Sequence, residues 1–274
     1  VGDFEVGGSS MQIAFPTKTT PSDTGNVYPV SINGKTFNVY SKTILGLGGD
    51  DARKYVRAYG YNNQNGGLDC FATGATISNT TEDSGIALYP STLLTPNIYP
   101  SNSLTTAPWF TLSNLQLNLT GNPSFNLASC ASKYNTVISQ VISLARNNNG
   151  TYDEGDTATW ATLKDALQTS TQPFVGLDNF YYTADDLNIA ESTGFNSTIF
   201  ENNLTTKCAS SIFFFYLFQQ AVCANGTFMD TFLFGDNGLF NASSASFAGV
   251  LPSKQNGTTV LTWTRGYLLL KYAN

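Results

Sequence analysis

The chain has 274 residues, 41% of them apolar, enough to bury a sizeable core in one large domain or two small ones. Charged residues make up only 12%, the net charge is −6 and the pI is near 4.5, so no basic stripe exists to neutralise phosphates and nucleic-acid binding is disfavoured. With no histidine, every triad, metal site or proton shuttle that needs imidazole is excluded from this chain.

The opening stretch, Gly2-Asp3-Phe4-Glu5-Val6-Gly7-Gly8-Ser9-Ser10-Met11-Gln12-Ile13-Ala14-Phe15, predicts strand, tight turn, strand. Phe4 and Val6 alternate with Asp3 and Glu5, and Met11, Ile13 and Phe15 alternate with Gln12 and Ala14. A glycine pair between such strands is a hairpin signal, and the pattern alone leaves two uses open. The hairpin is either purely structural or a phosphate cradle, in which Gly7 and Gly8 let backbone N–H groups approach an anion. In that second use Glu5 stands near a metal while the Ser10 hydroxyl and Gln12 amide orient a water.

Thr36-Phe37-Asn38-Val39-Tyr40 alternates as a third strand after the turn Asn33-Gly34. Gly46-Leu47-Gly48-Gly49 breaks the pattern, and Asp50 is placed to cap a helix. That helix carries Ala52, Tyr55, Val56 and Tyr59 on one face, Arg53, Lys54 and Arg57 on the other, and Gly60 as a stop. Residues 61–130, poor in charge and rich in Asn, Thr, Ser and Pro, are bracketed by Cys70 and Cys130 and read as a surface insertion. Val137, Ile138, Val141, Ile142 and Ala145 predict the next helix. Asp153, Glu154 and Asp156 lack calcium-loop spacing and fit helix capping before Trp160, Leu163 and Leu167. Phe180, Tyr181 and Tyr182 read by pattern as strand and core aromatics. The longest apolar run, Ile212 to Phe218, falls far short of the roughly 20 residues that cross a bilayer and reads as a core element, with Thr227 to Phe234 as a following strand. The N-terminus has no basic segment with an apolar stretch behind it, so no signal peptide is expected there.

Cys70, Cys130, Cys208 and Cys223 show neither CxxC nor metal spacing, which leaves two disulfides or four buried thiols. Glycosylation acceptors stand at Asn79, Asn118, Asn149, Asn196, Asn203, Asn225, Asn241 and Asn256, where about six would arise by chance in so Asn-, Ser- and Thr-rich a chain. With the even cysteines and the sparse charge, they point to a secreted or cell-surface protein.

Glu5-Val6-Gly7-Gly8-Ser9-Ser10-Met11-Gln12-Ile13 resembles the fourth conserved region of the apyrases, the ecto-nucleoside triphosphate diphosphohydrolase family. That region runs acidic residue, apolar residue, Gly-Gly, small, Ser, small, Gln, Ile; here Glu replaces the usual Asp, and Met the usual Thr or Ala. Tyr40 to Gly48 resembles a Tyr-x-His-Ser-x-Leu-Gly-Tyr-Gly stretch of the same family, with Lys42 for His and Leu47 for Tyr. Phe180-Tyr181-Tyr182-Thr183 resembles a further motif, and Leu261 to Leu269 is similar to the fifth conserved region with Arg265 in place of Leu. The resemblance spans the chain and corresponds to the second half of a complete apyrase.

It implies an α/β fold, an RNase H-like lobe of the kind that actin-type ATPases use in pairs, with residues 1–274 as a single lobe and the polar insertion at about 61–130. By the same resemblance Gly7 and Gly8 wrap a nucleotide phosphate, Ser10 and Gln12 hold the attacking water, and Glu5 contacts the water shell of Mg²⁺ or Ca²⁺. Tyr182 stacks on the nucleotide base, and the family's second ring falls at Asp236-Asn237-Gly238-Leu239, which leaves Phe240 to replace it. Cys70 is expected to pair with Cys130 and Cys208 with Cys223. The implied reaction is removal of the terminal phosphate from nucleoside tri- and diphosphates. The family's catalytic Glu and first phosphate loop precede this motif, so the chain is expected to need a separate N-terminal lobe, or to self-associate without activity. The competing expectation, motivated by Glu5, Met11, Lys42, Leu47 and Arg265, is a non-catalytic extracellular glycoprotein that uses the fold for assembly in a cell coat or fibre.

Overall fold

The computed structural model describes residues 2–8, 10–18, 24–45, 47–50, 52, 53, 56, 68–75, 123–147, 160–168, 170, 173–189, 195–210, 217–235, 238–240, 247–250, 254, 255, 259 and 260. The strands are β1 (Gly2–Val6), β2 (Ser10–Pro16), β3 (Val27–Ile32), β4 (Lys35–Leu45), β5 (Phe174–Asp178), β6 (Phe247–Val250), β7 (Lys254–Gln255) and β8 (Thr259–Val260). The helices are α1 (Leu127–Asn147), α2 (Trp160–Gln168), α3 (Asn179–Asp186), α4 (Ser197–Ala209) and α5 (Leu217–Phe234). A further helix starts at Gly49 and includes Asp50, Ala52, Arg53 and Val56.

Six strands form one mixed sheet in the order β3-β4-β2-β1-β5-β6. β1, β2, β4 and β3 pair antiparallel, whereas β5 runs parallel to β1 and β6 parallel to β5. Parallel neighbours need long crossovers, and the intervening chain supplies them with helices. As the alternation predicts, Phe4, Val6, Met11, Ile13 and Phe15 are buried on one face. There α3 packs on β1 and β5, and α5 packs on α1, α3 and α4. Phe4 meets Phe180 and Phe232 at ring distances of 6.3 and 6.2 Å, and Phe15 stacks on Tyr40 at 5.1 Å.

Both disulfides form as expected, Cys70 to Cys130 and Cys208 to Cys223, the second tying the end of α4 to α5. Next to the first, the Lys133 ammonium donates to the Asp69 carboxylate and, at 3.1 Å, to the Ser129 hydroxyl. Two expectations about these elements fail, and one strand is added. Thr227 to Phe234 is not a strand but the second half of α5, because Phe228 and Phe232, and Met229 and Leu233, also repeat at four residues and all four are buried. Phe180 to Tyr182 lie in α3, not in a strand. The antiparallel part has an additional strand, β3, joined to β4 by a two-residue turn whose Asn33 and Gly34 both take left-handed φ, 52° and 74°.

β3 is an edge strand. The carbonyl of Asn38 turns toward β2 and accepts from the Thr17 N–H at 2.8 Å, so Pro29, paired with Asn38, has its nitrogen on the outer edge. Tyr28, Ile32 and Phe37 are exposed on this hairpin. Among the described residues no helix is long and apolar enough to cross a membrane. The sequences 212–216 and 261–269, the cluster Asp153, Glu154 and Asp156, and Lys54, Tyr55, Arg57 and Tyr59 lie outside the described residues, as does most of the insertion.

Candidate functional site around the first turn

Val6 and Met11 close the β1–β2 ladder, and the Gly7 N–H donates to the Ser10 carbonyl at 2.9 Å, so the turn is tight. Its carbonyls do not face solvent. The Gly49 N–H donates to the Gly7 oxygen at 2.8 Å and the Asp50 N–H to the Gly8 oxygen at 2.9 Å. These are first-turn amides that no carbonyl of their own helix can satisfy, so the turn and the helix start complete each other. Asp50 therefore lies within the first turn of that helix and is not its cap. A Cβ at position 8 would stand 2.8 Å from Asp50 Oδ2, so any other residue there would have to displace the Asp50 carboxylate. Because the Gly7 N–H is already engaged, an anion at this turn would meet the Gly8 amide, with the missing side chains giving it close approach.

On the sheet face away from the core, Glu5 pairs with Gln12, and the Gln12 side-chain amide donates to Ser10 Oγ at 2.6 Å. In this pair the serine keeps a hydrogen to donate and the Gln12 side chain an oxygen to accept, the two functions needed to hold a water. Burial first, then the charges of Asp178 and Asp3, raise the Glu5 pKa; burial and then Asp50 raise that of Asp178. Asp178 sits where β5 turns into α3 with φ 56° and ψ −125°, a backbone that L residues avoid at a cost of about 1–3 kcal/mol. The carboxyl ends of parallel β1 and β5 thus point at one place. Among the described residues no three ligands converge to hold a metal directly. Glu5, in a crowd of like charge that a cation would relieve, fits a divalent ion reached through its hydration shell.

Beside the turn opens a cavity of about 570 Å³ lined by Asp50, Arg53, Asp178, Tyr182, Asp186 and Asn225, among others. Tyr182 is 49% exposed there. Phe240 does not supply a second ring: it is buried against Phe4 and Phe174. Arg53, expected on the solvent face, is 5% exposed, with Nη1 donating to Asn225 Oδ1 at 2.7 Å and Nη2 to Asp50 Oδ1 at 2.5 Å. Asn225 is 6% exposed in the middle of α5 with its Oδ1 held by Arg53, so a glycan on it would have to fill this cavity in the folded chain. Asn196 is exposed and caps α4 by accepting from the Ile199 N–H at 3.0 Å, and Asn203 donates to the Leu187 carbonyl at 3.0 Å. Asn79, Asn118, Asn149, Asn241 and Asn256 lie outside the described residues. As site residues Asp50, Arg53, Asp178 and Asn225 were not expected from the sequence, which offered Asp50 as a helix cap, Arg53 on an outer helix face and Asn225 as a glycosylation acceptor. The usable signal was position: Asp178 ends β5 and precedes α3, and Asp50 follows β4 at a helix start, where α/β sheets bind ligands.

No family model matches the chain. It is 27% identical over 284 aligned residues to ectonucleoside triphosphate diphosphohydrolase 8 of Bos taurus, an alignment that covers 98% of this chain and 50% of that protein. A crystal structure of nucleoside triphosphate hydrolases from Neospora caninum superposes with a TM-score of 0.60 at 13% identity, covering 99% of this chain and 56% of the other. The chain thus spans about half the length of the proteins it matches, and its fold is the α/β fold of the actin-type ATPases.

Proposed function

We propose that this chain is a single lobe of an extracellular apyrase-like nucleoside tri- and diphosphate phosphohydrolase, with its polar insertion at about 61–130, and that it works with an N-terminal lobe. The observation that carries the reading is the Gln12–Ser10 pair on a glycine turn tied to a helix start, beside a cavity bordered by Tyr182. The terminal phosphate lies against the Gly7–Gly8 turn. Ser10 and Gln12 hold the water whose oxygen bonds to phosphorus as the bond to the leaving phosphate breaks, and its proton passes to a base on the N-terminal lobe. Mg²⁺ or Ca²⁺, when bound, supplies neutralisation of phosphate charge, with Glu5 toward its water shell. Tyr182 stacks on the base, a contact tolerant of base identity. The two disulfides support an oxidising, extracellular setting, with glycans at exposed acceptors such as Asn196.

In the complete protein, Ser10→Ala and Gln12→Ala should each lower turnover roughly 100- to 1000-fold without a change in melting temperature. Unchanged hydrolysis in both variants would make the turn structural. The 274-residue chain alone should release no phosphate from ATP or ADP.

A second reading, a non-catalytic extracellular glycoprotein that assembles into a coat or fibre, draws on the exposed Tyr28, Ile32 and Phe37. A homopolymer without hydrolysis would favour it.

A further inference from the structure

Residues 221–229 of α5 are buried without interruption, which makes this helix a fixed reference point near the turn. From it Asn225 reaches two neighbours. Its Oδ1 accepts from Arg53, and the same atom lies 3.4 Å from where a Cβ on Gly49 would stand, so the amide packs against the backbone that holds the Gly7 carbonyl. Arg53 in turn grips Asp50 Oδ1, while the Asp50 N–H holds the Gly8 carbonyl and Asp50 Oδ2 covers Gly8. A guanidinium suits this place because its planar fork donates in two fixed directions at once, which an ammonium does not.

We infer that Arg53, set by Asn225, is a positioning residue that fixes the Gly7–Gly8 turn through Asp50, and that Asn225 serves this brace and carries no glycan. The catalytic part of the inference rests on reading that turn as the phosphate-binding element. The brace refers the turn to the core of α5 through Arg53 and the half-exposed Asp50, and the Gln12–Ser10 pair stands on the strand that leaves this turn.

Amide hydrogen exchange tests the brace without any need for activity. In Asn225→Leu and Arg53→Lys, exchange at Gly49 and Asp50 should quicken about tenfold or more, while ladder amides of β1 and β2 stay unchanged. Asn225→Asp, which keeps an acceptor oxygen, should stay within about threefold of the parent. Equal exchange at Gly49 and Asp50 in all forms would overturn the inference, as would a rise that merely follows the β1–β2 ladder, and so would a glycan on Asn225. In the complete protein the same Leu and Lys variants should lower kcat roughly 10- to 100-fold with little change in KM, and Asp should restore it. Quickened exchange with unchanged kcat would leave the brace standing and refute the phosphate reading of the turn.

Discussion

Asp230 offers a test of the fold that does not depend on function. It lies on α5 beside Glu201 of α4, and burial, with the Glu201 charge adding to it, raises its carboxyl from 3.8 to about 7. The unfolded chain ionises this group at its ordinary value, so from about pH 4 to pH 7 the folded state holds a proton that the unfolded state has lost. The contribution to stability is therefore complete below about pH 4 and declines as pH rises through about 7. At about 1.4 kcal/mol per pKa unit the whole effect is about 4 kcal/mol, and partial contact with solvent reduces it to about 2–4 kcal/mol. Asp3, raised to about 6 chiefly by burial, acts with the same sign over a window that closes about one unit lower. Urea unfolding across this range should show wild-type stability falling with pH. Asp230→Asn, which mimics the neutral acid, should match wild type near pH 4 and exceed it by about 2–4 kcal/mol near pH 8, with a residual slope from Asp3 and the other raised carboxyls, Glu5 and Asp178 among them. A wild type that gains stability over this range, or a variant with the parent's slope, would refute the burial argument.

Replacing Cys208 and Cys223 together by serine opens a bridge of sequence separation 15 and should cost about 3 kcal/mol, and opening the Cys70–Cys130 bridge of separation 60 about 4 kcal/mol. Guanidinium titrations check both, and losses under about 1 kcal/mol would mean that the bridges constrain little. Tyr182→Ala in the complete protein should weaken nucleotide binding by about 1–3 kcal/mol while Tyr182→Phe keeps it. Equal affinity in both variants would remove stacking from the account.

The opening hairpin was legible because one face of each strand is buried, and Phe4, Val6, Met11, Ile13 and Phe15 record that face at a period of two. Thr227 to Phe234 was not, because Thr227 and Thr231 are buried along with Phe228, Met229, Phe232 and Leu233, so no exposed polar face marks the helical period. Pro29 concealed β3, since proline argues against a strand until its nitrogen is seen to face outward. At the site, Ser10, Gln12 and the glycines were readable as a short motif, whereas the burial of Arg53 depends on Asn225, 172 residues away. The strained turn at Asp178 likewise exists only once β5 lies beside β1. The disulfide pairing came from resemblance, not from spacing.

Pro29 also sets a condition on any contact between copies of this molecule. A strand added alongside β3 would find no N–H at the centre of the edge, so the sheet resists growth in that direction by backbone pairing. Two chains that associate at this hairpin must do so broadside, through the rings of Tyr28 and Phe37 and the Ile32 side chain. Contacts of that kind rest on side-chain burial alone and come apart on dilution or in mild detergent, where a cross-strand ladder would persist. Reversibility would then be a built-in property of any assembly formed through this surface.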